Sequence, residues 1–129
     1  DAVYGVAIGD DILDADYCRE LKKAGATVIV NPYASPMSTT FEAEKAAQVV
    51  LLSETLGITV LSVGASPTES TTDTVFADYS LAVKNGDIIA EQKPLIDGGV
   101  LYAEFEPTAS KGKKAKISAA ADAGRPLTL

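Results

Sequence analysis

The sequence predicts an α/β fold in which a βαβαβ unit is followed by a β-hairpin and a further strand. Short apolar runs alternate with amphipathic segments through the first half of the chain, which is the rhythm of parallel strands joined by helices. The second half carries Asn85-Gly86 between two strand-like runs, a strong local signal for a hairpin. With 129 residues, of which 47% are hydrophobic, the chain has the size and composition of one packed domain.

The first strand, helix and second strand follow from residues 2–30. Residues 2–8 form a nearly continuous apolar run, typical of a strand buried on both faces. Asp14 or Asp16 can cap the helix that follows, and Gly25 stands where a helix often ends. A buried strand over Thr27–Val30, stopped by Asn31-Pro32, implies a parallel pair with a right-handed crossover. The apolar stripe of the helix is predicted at Tyr17, Cys18, Leu21 and Ala24.

The second helix and third strand repeat this pattern. Thr39-Thr40 is predicted to cap the helix, with Glu42 three residues after Thr39 as in a capping box. Gly57 ends the helix, and Ile58–Val63 forms the third strand. The apolar stripe of this helix is predicted at Ala43, Ala46, Ala47, Val50 and Leu51.

The second half of the chain changes from this rhythm to antiparallel strands. Thr74–Val83 and Ile88–Gln92 are predicted to flank the Asn-Gly turn, and Val100–Phe105 alternates apolar and polar residues like one more strand. From residue 107 onward the chain is rich in Ala, Lys and Gly. We therefore predict an α/β domain over residues 1–107 and a C-terminal tail or arm over residues 108–129.

Composition excludes several classes of function. The chain has no histidine, so a Ser-His-Asp triad, a Cys-His dyad and a His-based metal site are impossible within it. The net charge of −7 opposes the basic face that nucleic-acid binding needs. No apolar stretch approaches the ~20 residues that span a bilayer, and no signal-peptide pattern is present. The single cysteine, Cys18, favours a reducing compartment, so we expect a cytoplasmic protein with no nucleic-acid or membrane partner.

A series of motifs carries a resemblance to a known family. The Glu-Ser-Thr-Thr-Asp run at residues 69–73, which precedes a strand and an Asn-Gly hairpin, is the most specific of them. The others, in chain order, are Ile8-Gly9-Asp10-Asp11, the strand Gly25–Asn31, and Ala34-Ser35-Pro36. Over about residues 3–106 the chain resembles the second half of a nitrilase-superfamily (carbon–nitrogen hydrolase) domain. The likeness is greatest to the glutamine amidotransferase domain of glutamine-dependent NAD synthetase.

The resemblance implies half of an α-β-β-α sandwich and a known chemistry. Active members of the family use a glutamate, a lysine and a cysteine. The cysteine thiolate attacks the side-chain amide of glutamine, ammonia leaves, and water cleaves the thioester. In synthetases of this kind the ammonia is then used to make NAD. The resemblance implies no cofactor for this half of the domain.

The chain departs from the family at the catalytic positions. If Asp11 matches the aspartate of the family's Cys-Glu-Asp motif, Gly9 stands at the nucleophile and Asp10 at the glutamate. The chain begins eight residues before Gly9, so the family's upstream glutamate and lysine have no counterpart in it. Cys18 lies on the apolar stripe of the first helix. A thiol buried there packs in the core and is unreactive. We therefore expect no catalytic residue, with the nucleophile position vacant at Gly9.

Seven polar residues are candidates for retained ligand binding at the carboxyl ends of the strands, where open α/β sheets bind ligands. The alternatives are that the two aspartates bond backbone amides at the helix start, that Ser35 belongs to a plain turn, and that the Ser/Thr run locks its own loop. Adjacent carboxylates could hold a hard cation, but we expect no metal. The candidates, for a small polar ligand such as glutamine, are Asp10, Asp11, Ser35, Ser70, Thr71, Thr72 and Asp73.

Two hypotheses of function follow. The chain is either a portion of a glutaminase domain of the NAD synthetase type, or a non-enzymatic domain that kept the scaffold and lost the chemistry. In both, half a sandwich leaves one face of its sheet uncovered, and large apolar patches mark interfaces. We therefore expect the chain to associate, either with itself or with a companion chain.

Overall fold

The computed structural model describes residues 2–66, 75–93 and 99–106. Within them, five strands form one mixed sheet and two helices cross one of its faces, which confirms the α/β fold class. A 3₁₀ turn over Gly9–Leu13 follows the first strand. The elements are β1 Tyr4–Val6, α1 Ala15–Lys23, β2 Val28–Tyr33, α2 Phe41–Leu56, β3 Thr59–Gly64, β4 Ser80–Lys84 and β5 Asp87–Gln92.

The sheet follows the order of the sequence, β1-β2-β3-β4-β5. The first three strands are parallel, as the helices between them require, and β4 and β5 run antiparallel to their predecessors. The predicted hairpin is confirmed: Asn85 and Gly86 have φ of 50° and 86°, the positive values of a tight two-residue turn. The carboxyl ends of β1, β2 and β3 therefore lie together at one edge of the sheet.

Both helices pack on the same face of the sheet and enclose the core. Leu21 of α1 and Val49 of α2 bury their side chains against strand residues such as Ile29 and Val60. Gly5 allows α1 to approach β1, because a Cβ there would lie 3.2–3.4 Å from side-chain atoms of Ala26 and Leu21. In the part of the chain that the structure describes, neither helix is long and apolar enough to cross a membrane.

Helix α1 follows the sequence prediction. Asp14 caps it, and its Oδ1 atom accepts a hydrogen bond of 3.0 Å from the backbone N–H of Tyr17. Cys18 and Leu21 are buried, as is Ala24 just beyond the last turn. The predicted stripe is therefore the face that packs on the sheet.

Helix α2 differs from the prediction at its start and in its buried face. It begins at Phe41 after Thr40, whose side chain makes no capping bond, and Glu42 pairs instead with Lys93 at 3.0 Å. The predicted stripe is right only in part: Ala46 and Val50 pack against the core, whereas Leu51 is 65% exposed. The helix is apolar on most sides, so periodicity did not select the face. The buried residues, spaced by four, four and three, are Lys45, Val49, Ser53 and Leu56.

Three strand predictions also differ from the structure. The second strand continues through Asn31-Pro32 to Tyr33, and the fourth begins at Ser80 rather than at residue 74. Residues 100–105 form no ladder within the described chain. Their alternation instead turns Leu101 and Phe105 toward the face of β3 and β4, where they line a cavity of about 470 Å³. Because this segment lies over the sheet, it adds no strand to the edge.

Candidate functional site

The turn after β1 is the predicted site of the missing nucleophile. Gly9 has φ of +57°, a left-handed conformation that side chains rarely adopt, and a Cβ added to it would meet no atom within 4 Å. The buried amide of Asn31 fixes this turn, since its Nδ2 atom donates to the carbonyl oxygens of Ala7 and Gly9 at 2.6 and 3.1 Å. The strand end is thus a rigid turn with open space in place of a side chain.

The two aspartates after Gly9 face different surroundings. Asp10 is exposed and Asp11 is partly buried, both in the first turn of the 3₁₀ segment. The backbone of Asp11 joins this turn to its neighbours, because its N–H donates to Ile8 at 3.0 Å and its carbonyl accepts from Asp14 at 3.1 Å. Among residues 2–66, 75–93 and 99–106 no three His, Cys, Asp or Glu side chains are grouped closely enough to hold a metal ion.

A buried lysine, which sequence reasoning missed, lies at the centre of this edge. Lys45 is 6% exposed, and its Nζ donates to Asn31 Oδ1 at 2.8 Å. Ser62 Oγ donates to the same oxygen at 2.9 Å, and the ring of Tyr33 lies 4.1 Å from Nζ. We call Lys45, Asn31, Ser62 and Tyr33 the lysine cluster. It joins α2, β2 and β3, and the Asn31 amide joins it to the turn after β1.

Burial determines the charge of this lysine. Desolvation lowers the pKa of Lys45 to about 8, against the opposing attraction of Asp10. The cation–π contact with Tyr33 and the hydrogen bond to Asn31 replace the contacts with water that the buried Lys45 ammonium group has lost. The sequence does contain one signal for the burial of Lys45. It lies four residues before the buried Val49, and residues i and i+4 lie on the same face of a helix.

Two tyrosines extend the polar contacts away from the lysine. The Tyr33 hydroxyl donates to the carbonyl oxygen of Tyr79, and the Tyr79 hydroxyl donates to the carboxylate of Glu91. Burial raises the pKa of both phenols, and for Tyr79 the bond to Glu91 raises it further. Both therefore remain neutral hydrogen-bond donors that fasten the end of β2 to β4 and β5.

Of the remaining predicted site residues, the structure describes Ser35. Ser35 is partly buried two residues beyond β2, and its carbonyl accepts from the N–H of Ala77 at 2.8 Å. Its loop is therefore attached to the segment before β4. Ser70, Thr71, Thr72 and Asp73 lie outside the described residues.

Cys18 is a core residue beneath the 3₁₀ turn. It is fully buried, and its Sγ atom lies 3.9 and 3.8 Å from the carbonyl oxygens of Asp11 and Ile12. A thiol in such surroundings is inert.

Comparison with known proteins gives the fold. No family model and no curated protein matches the sequence. Among solved structures, an amidase from Nesterenkonia sp. AN1 matches 92% of this chain and 40% of its own, with TM-score 0.68 and 18% identity. Nit3 of Saccharomyces cerevisiae, of the nitrilase superfamily, matches 70% of this chain and 33% of its own, with TM-score 0.59 and 17% identity.

A glutamine-dependent NAD(+) synthetase from Acinetobacter baumannii also matches. Its TM-score is 0.64 at 19% identity, over 70% of this chain and 17% of its own. The chain thus spans two-fifths or less of the length of these proteins. The described residues form part of a nitrilase-like carbon–nitrogen hydrolase fold.

Proposed function

We propose that this chain is a portion of a nitrilase-like glutamine amidohydrolase domain, of the kind that supplies ammonia for NAD synthesis, and that it hydrolyses no amide by itself. The observation that carries the proposal is Gly9. Covalent amide hydrolysis needs a nucleophile at the strand end, and this position has open space and no side chain. The fold is shared with NAD synthetases and with amidases, and the motifs around residues 69–73 favour the former.

Cys18 does not replace the missing nucleophile in this proposal. It is the single cysteine of the sequence, and its sulfur is buried beneath the 3₁₀ turn. An attack on a substrate amide would require α1 to leave the sheet. Catalysis by this thiol would therefore require the core to open.

The proposal is tested by following ammonia release from L-glutamine with the purified full chain. We expect no release above the buffer blank, and the same result for Cys18→Ala. An active amidase assayed in parallel shows that the assay detects turnover. Release that scales with chain concentration and survives Cys18→Ala would overturn the proposal.

A retained ligand site is part of the same proposal. Asp10, Asp11 and Ser35 lie near the carboxyl ends of β1 and β2, and we propose that they bind a small polar ligand such as glutamine. The run at residues 70–73 is a further candidate from its sequence. Titration calorimetry with L-glutamine tests it, with Ser35→Ala as the weakened variant and Ser38→Ala as the matched control in the same loop. No heat of binding at millimolar glutamine would contradict a retained site.

A second candidate function is a non-enzymatic module that binds through the open face of the sheet. We define the open face as the side of the sheet away from α1 and α2, which residues 99–106 cover in part over β3 and β4. Its exposed apolar residues include Tyr4, Val6, Ile8 and Val63. Each is 48–65% exposed. Apolar side chains grouped in this way are typical of a contact surface, and we propose self-association or pairing with a companion chain.

Light scattering at micromolar concentration tests self-association. We expect a mass above that of one chain, and a shift toward the monomer in Val6→Lys. Gln48→Lys on the exposed side of α2 adds the same single positive charge without touching the open face, and so controls for charge. A monomeric mass for the unaltered chain would contradict self-association, and co-purification would then test the companion chain. We further propose a cytoplasmic location, which cell fractionation tests.

A further inference from the structure

The open face of the sheet carries a cavity over β3 and β4, roofed by residues 99–106. Its floor is formed by the two paired strands, where Leu61 and Ala82 lie opposite each other in the register. Leu101 and Phe105 contribute to its roof. Its volume is about 470 Å³, within the roughly 300–1,000 Å³ that is typical of small-molecule sites. The space is therefore large enough for a bicyclic ligand.

A small molecule can reach this cavity from solvent. Val63 and Val100 both line it, and they are 51% and 73% exposed. The roof forms no ladder with the sheet in the described chain, and it is fastened at one end by Lys84, whose Nζ donates to the carbonyl oxygen of Glu106 at 2.9 Å. A roof held in this way can move aside without breaking a row of backbone hydrogen bonds.

One buried hydroxyl faces the cavity from its floor. Ser80 lies on the open-face side of β4, because its neighbour Leu81 points into the core beneath the helices. The residue is 9% exposed, and its Oγ atom accepts a hydrogen bond of 3.2 Å from the N–H of Gly64. A hydroxyl can also donate, and within the described chain no acceptor takes the Ser80 hydrogen. This donor is therefore available to a ligand.

The lining limits the class of ligand. Most of its side chains are apolar, so they favour an apolar body. The lining includes Asp78 and, within the described chain, no lysine or arginine, which disfavours an anion. We propose that this cavity binds a small, uncharged, apolar molecule with one acceptor oxygen, such as a ketone or an ether, to which Ser80 donates. The site needs no catalytic residue, so it is independent of amide hydrolysis.

Fluorescence titration of the full chain with Prodan tests the proposal, because this neutral naphthyl ketone emits at shorter wavelength in apolar surroundings. We expect saturable binding at micromolar concentration. Ala103→Trp adds an indole to the lining and should weaken binding at least about tenfold. Glu104→Trp is the matched control, because the next residue is exposed and does not line the cavity. Its affinity should stay within about twofold of that of the unaltered chain.

Removal of the Ser80 hydroxyl tests the hydrogen bond to the ligand. Ser80→Ala should weaken Prodan binding about threefold to tenfold. Because the ketone loses its donor, the emission of bound Prodan should also move to still shorter wavelength. A purely structural role of Ser80 would leave that emission unchanged, and this result would contradict its assignment as the donor.

Val6→Lys separates the cavity from the rest of the open face. Val6 does not line the cavity, so this variant should keep the affinity of the unaltered chain. Circular dichroism checks that each variant is folded, and Ser80→Ala decides if Ala103→Trp is not. Equal affinity in a folded Ala103→Trp, loss of binding in Val6→Lys, or no saturable binding by the unaltered chain would each overturn the proposal.

Discussion

The face of the sheet under the helices buries polar groups, whereas the open face exposes apolar ones. Asn31 and Ser62 are at most 1% exposed on the covered face, and both bond within the lysine cluster. Val63, which follows Ser62 and points to the other side, is 51% exposed, and Val6 of β1 is 48% exposed. The polarity of a residue therefore does not decide its burial here. The presence of a covering layer decides it, and polar residues are tolerated beneath that layer because each has a partner.

The same difference separates two properties of the chain. Association would act through the open face, whereas the lysine cluster beneath α2 acts on stability. A substitution on one face should therefore leave the property of the other face unchanged. The following predictions use that separation, beginning with the largest effect.

The largest effect is expected from Asn31→Leu. The change keeps the shape of the side chain but leaves Lys45, Ser62 and two backbone carbonyls without their bonds. Each buried group so orphaned costs about 1–3 kcal/mol, and partial relaxation should keep the total loss of unfolding free energy near 3–5 kcal/mol. Urea denaturation followed by circular dichroism measures it.

The matched control for that change is Val63→Thr on the open face. It is nearly isosteric and lies one residue beyond the partner of Asn31 on β3, so we expect a change within about 0.5 kcal/mol. Equal losses for the two variants would show that the cluster is no more stabilising than the open face.

A somewhat smaller loss is expected from Gly64→Ala at the end of β3. The added Cβ would lie 2.6 Å from the carbonyl oxygen of Ala77 and 2.9 Å from the hydroxyl of Tyr33. Backbone cannot yield as a flexible side chain does, so overpacking should cost about 2–3 kcal/mol of unfolding free energy. Gly57→Ala, with open space around its Cβ, is the control and should show only the strain of its positive φ, about 1 kcal/mol. If Gly64→Ala were the milder change, the close approach of Ala77 would not constrain the chain.

The fold was predictable from sequence where local preferences decide it. The cap at Asp14, the turn at Asn85-Gly86 and the strand–helix rhythm depend on residues close in the chain. The buried face of α2 was not predictable, because α2 carries apolar residues on most of its sides. Their periodicity therefore does not indicate which side packs on the sheet.

The site was predictable only in part. The strand edge followed from the order of the elements, and Gly9 followed from the resemblance of residues 8–11 to the family's motif. The lysine cluster did not, since Lys45 is 14 residues and Ser62 is 31 residues from Asn31, and only the packing of α2 over β2 and β3 brings them together. The alternation of residues 100–105 indicates a segment with two different sides, but the predicted strand is wrong, because alternation does not say whether a segment pairs with a sheet or lies across it.

The pH dependence of stability should also distinguish the lysine cluster. The folded pKa of Lys45, about 8, lies below its value of 10.5 in the unfolded chain, so the unfolded state binds more protons between these values. Stability should therefore rise by about 1–2 kcal/mol from pH 7.5 to pH 9.5. Above pH 10 the buried Tyr33 and Tyr79, with their raised pKa, favour unfolding as unfolded phenols ionise.

Lys45→Met isolates this contribution, because it removes the titrating group and keeps the length of the side chain. Its stability curve should lack the rise, while Lys23→Met on the surface of α1 should keep it. Denaturation midpoints at intervals of pH measure both. If the stability of the unaltered chain and that of Lys45→Met changed with pH in the same way, burial of the Lys45 ammonium group would not destabilise the fold.

The smallest effect on stability is expected at the turn after β1. Gly9→Cys places a side chain in open space, so the expected loss is the cost of a left-handed residue, about 1 kcal/mol. The introduced thiol should react readily with iodoacetamide, whereas the buried Cys18 should not, and mass spectrometry separates the two sites. We expect no glutamine hydrolysis from this variant, because no described residue is placed as a general base for the thiol. Turnover in Gly9→Cys would show that the remaining groups at this edge, such as Asp10 and Lys45, suffice for amide chemistry once a nucleophile is present.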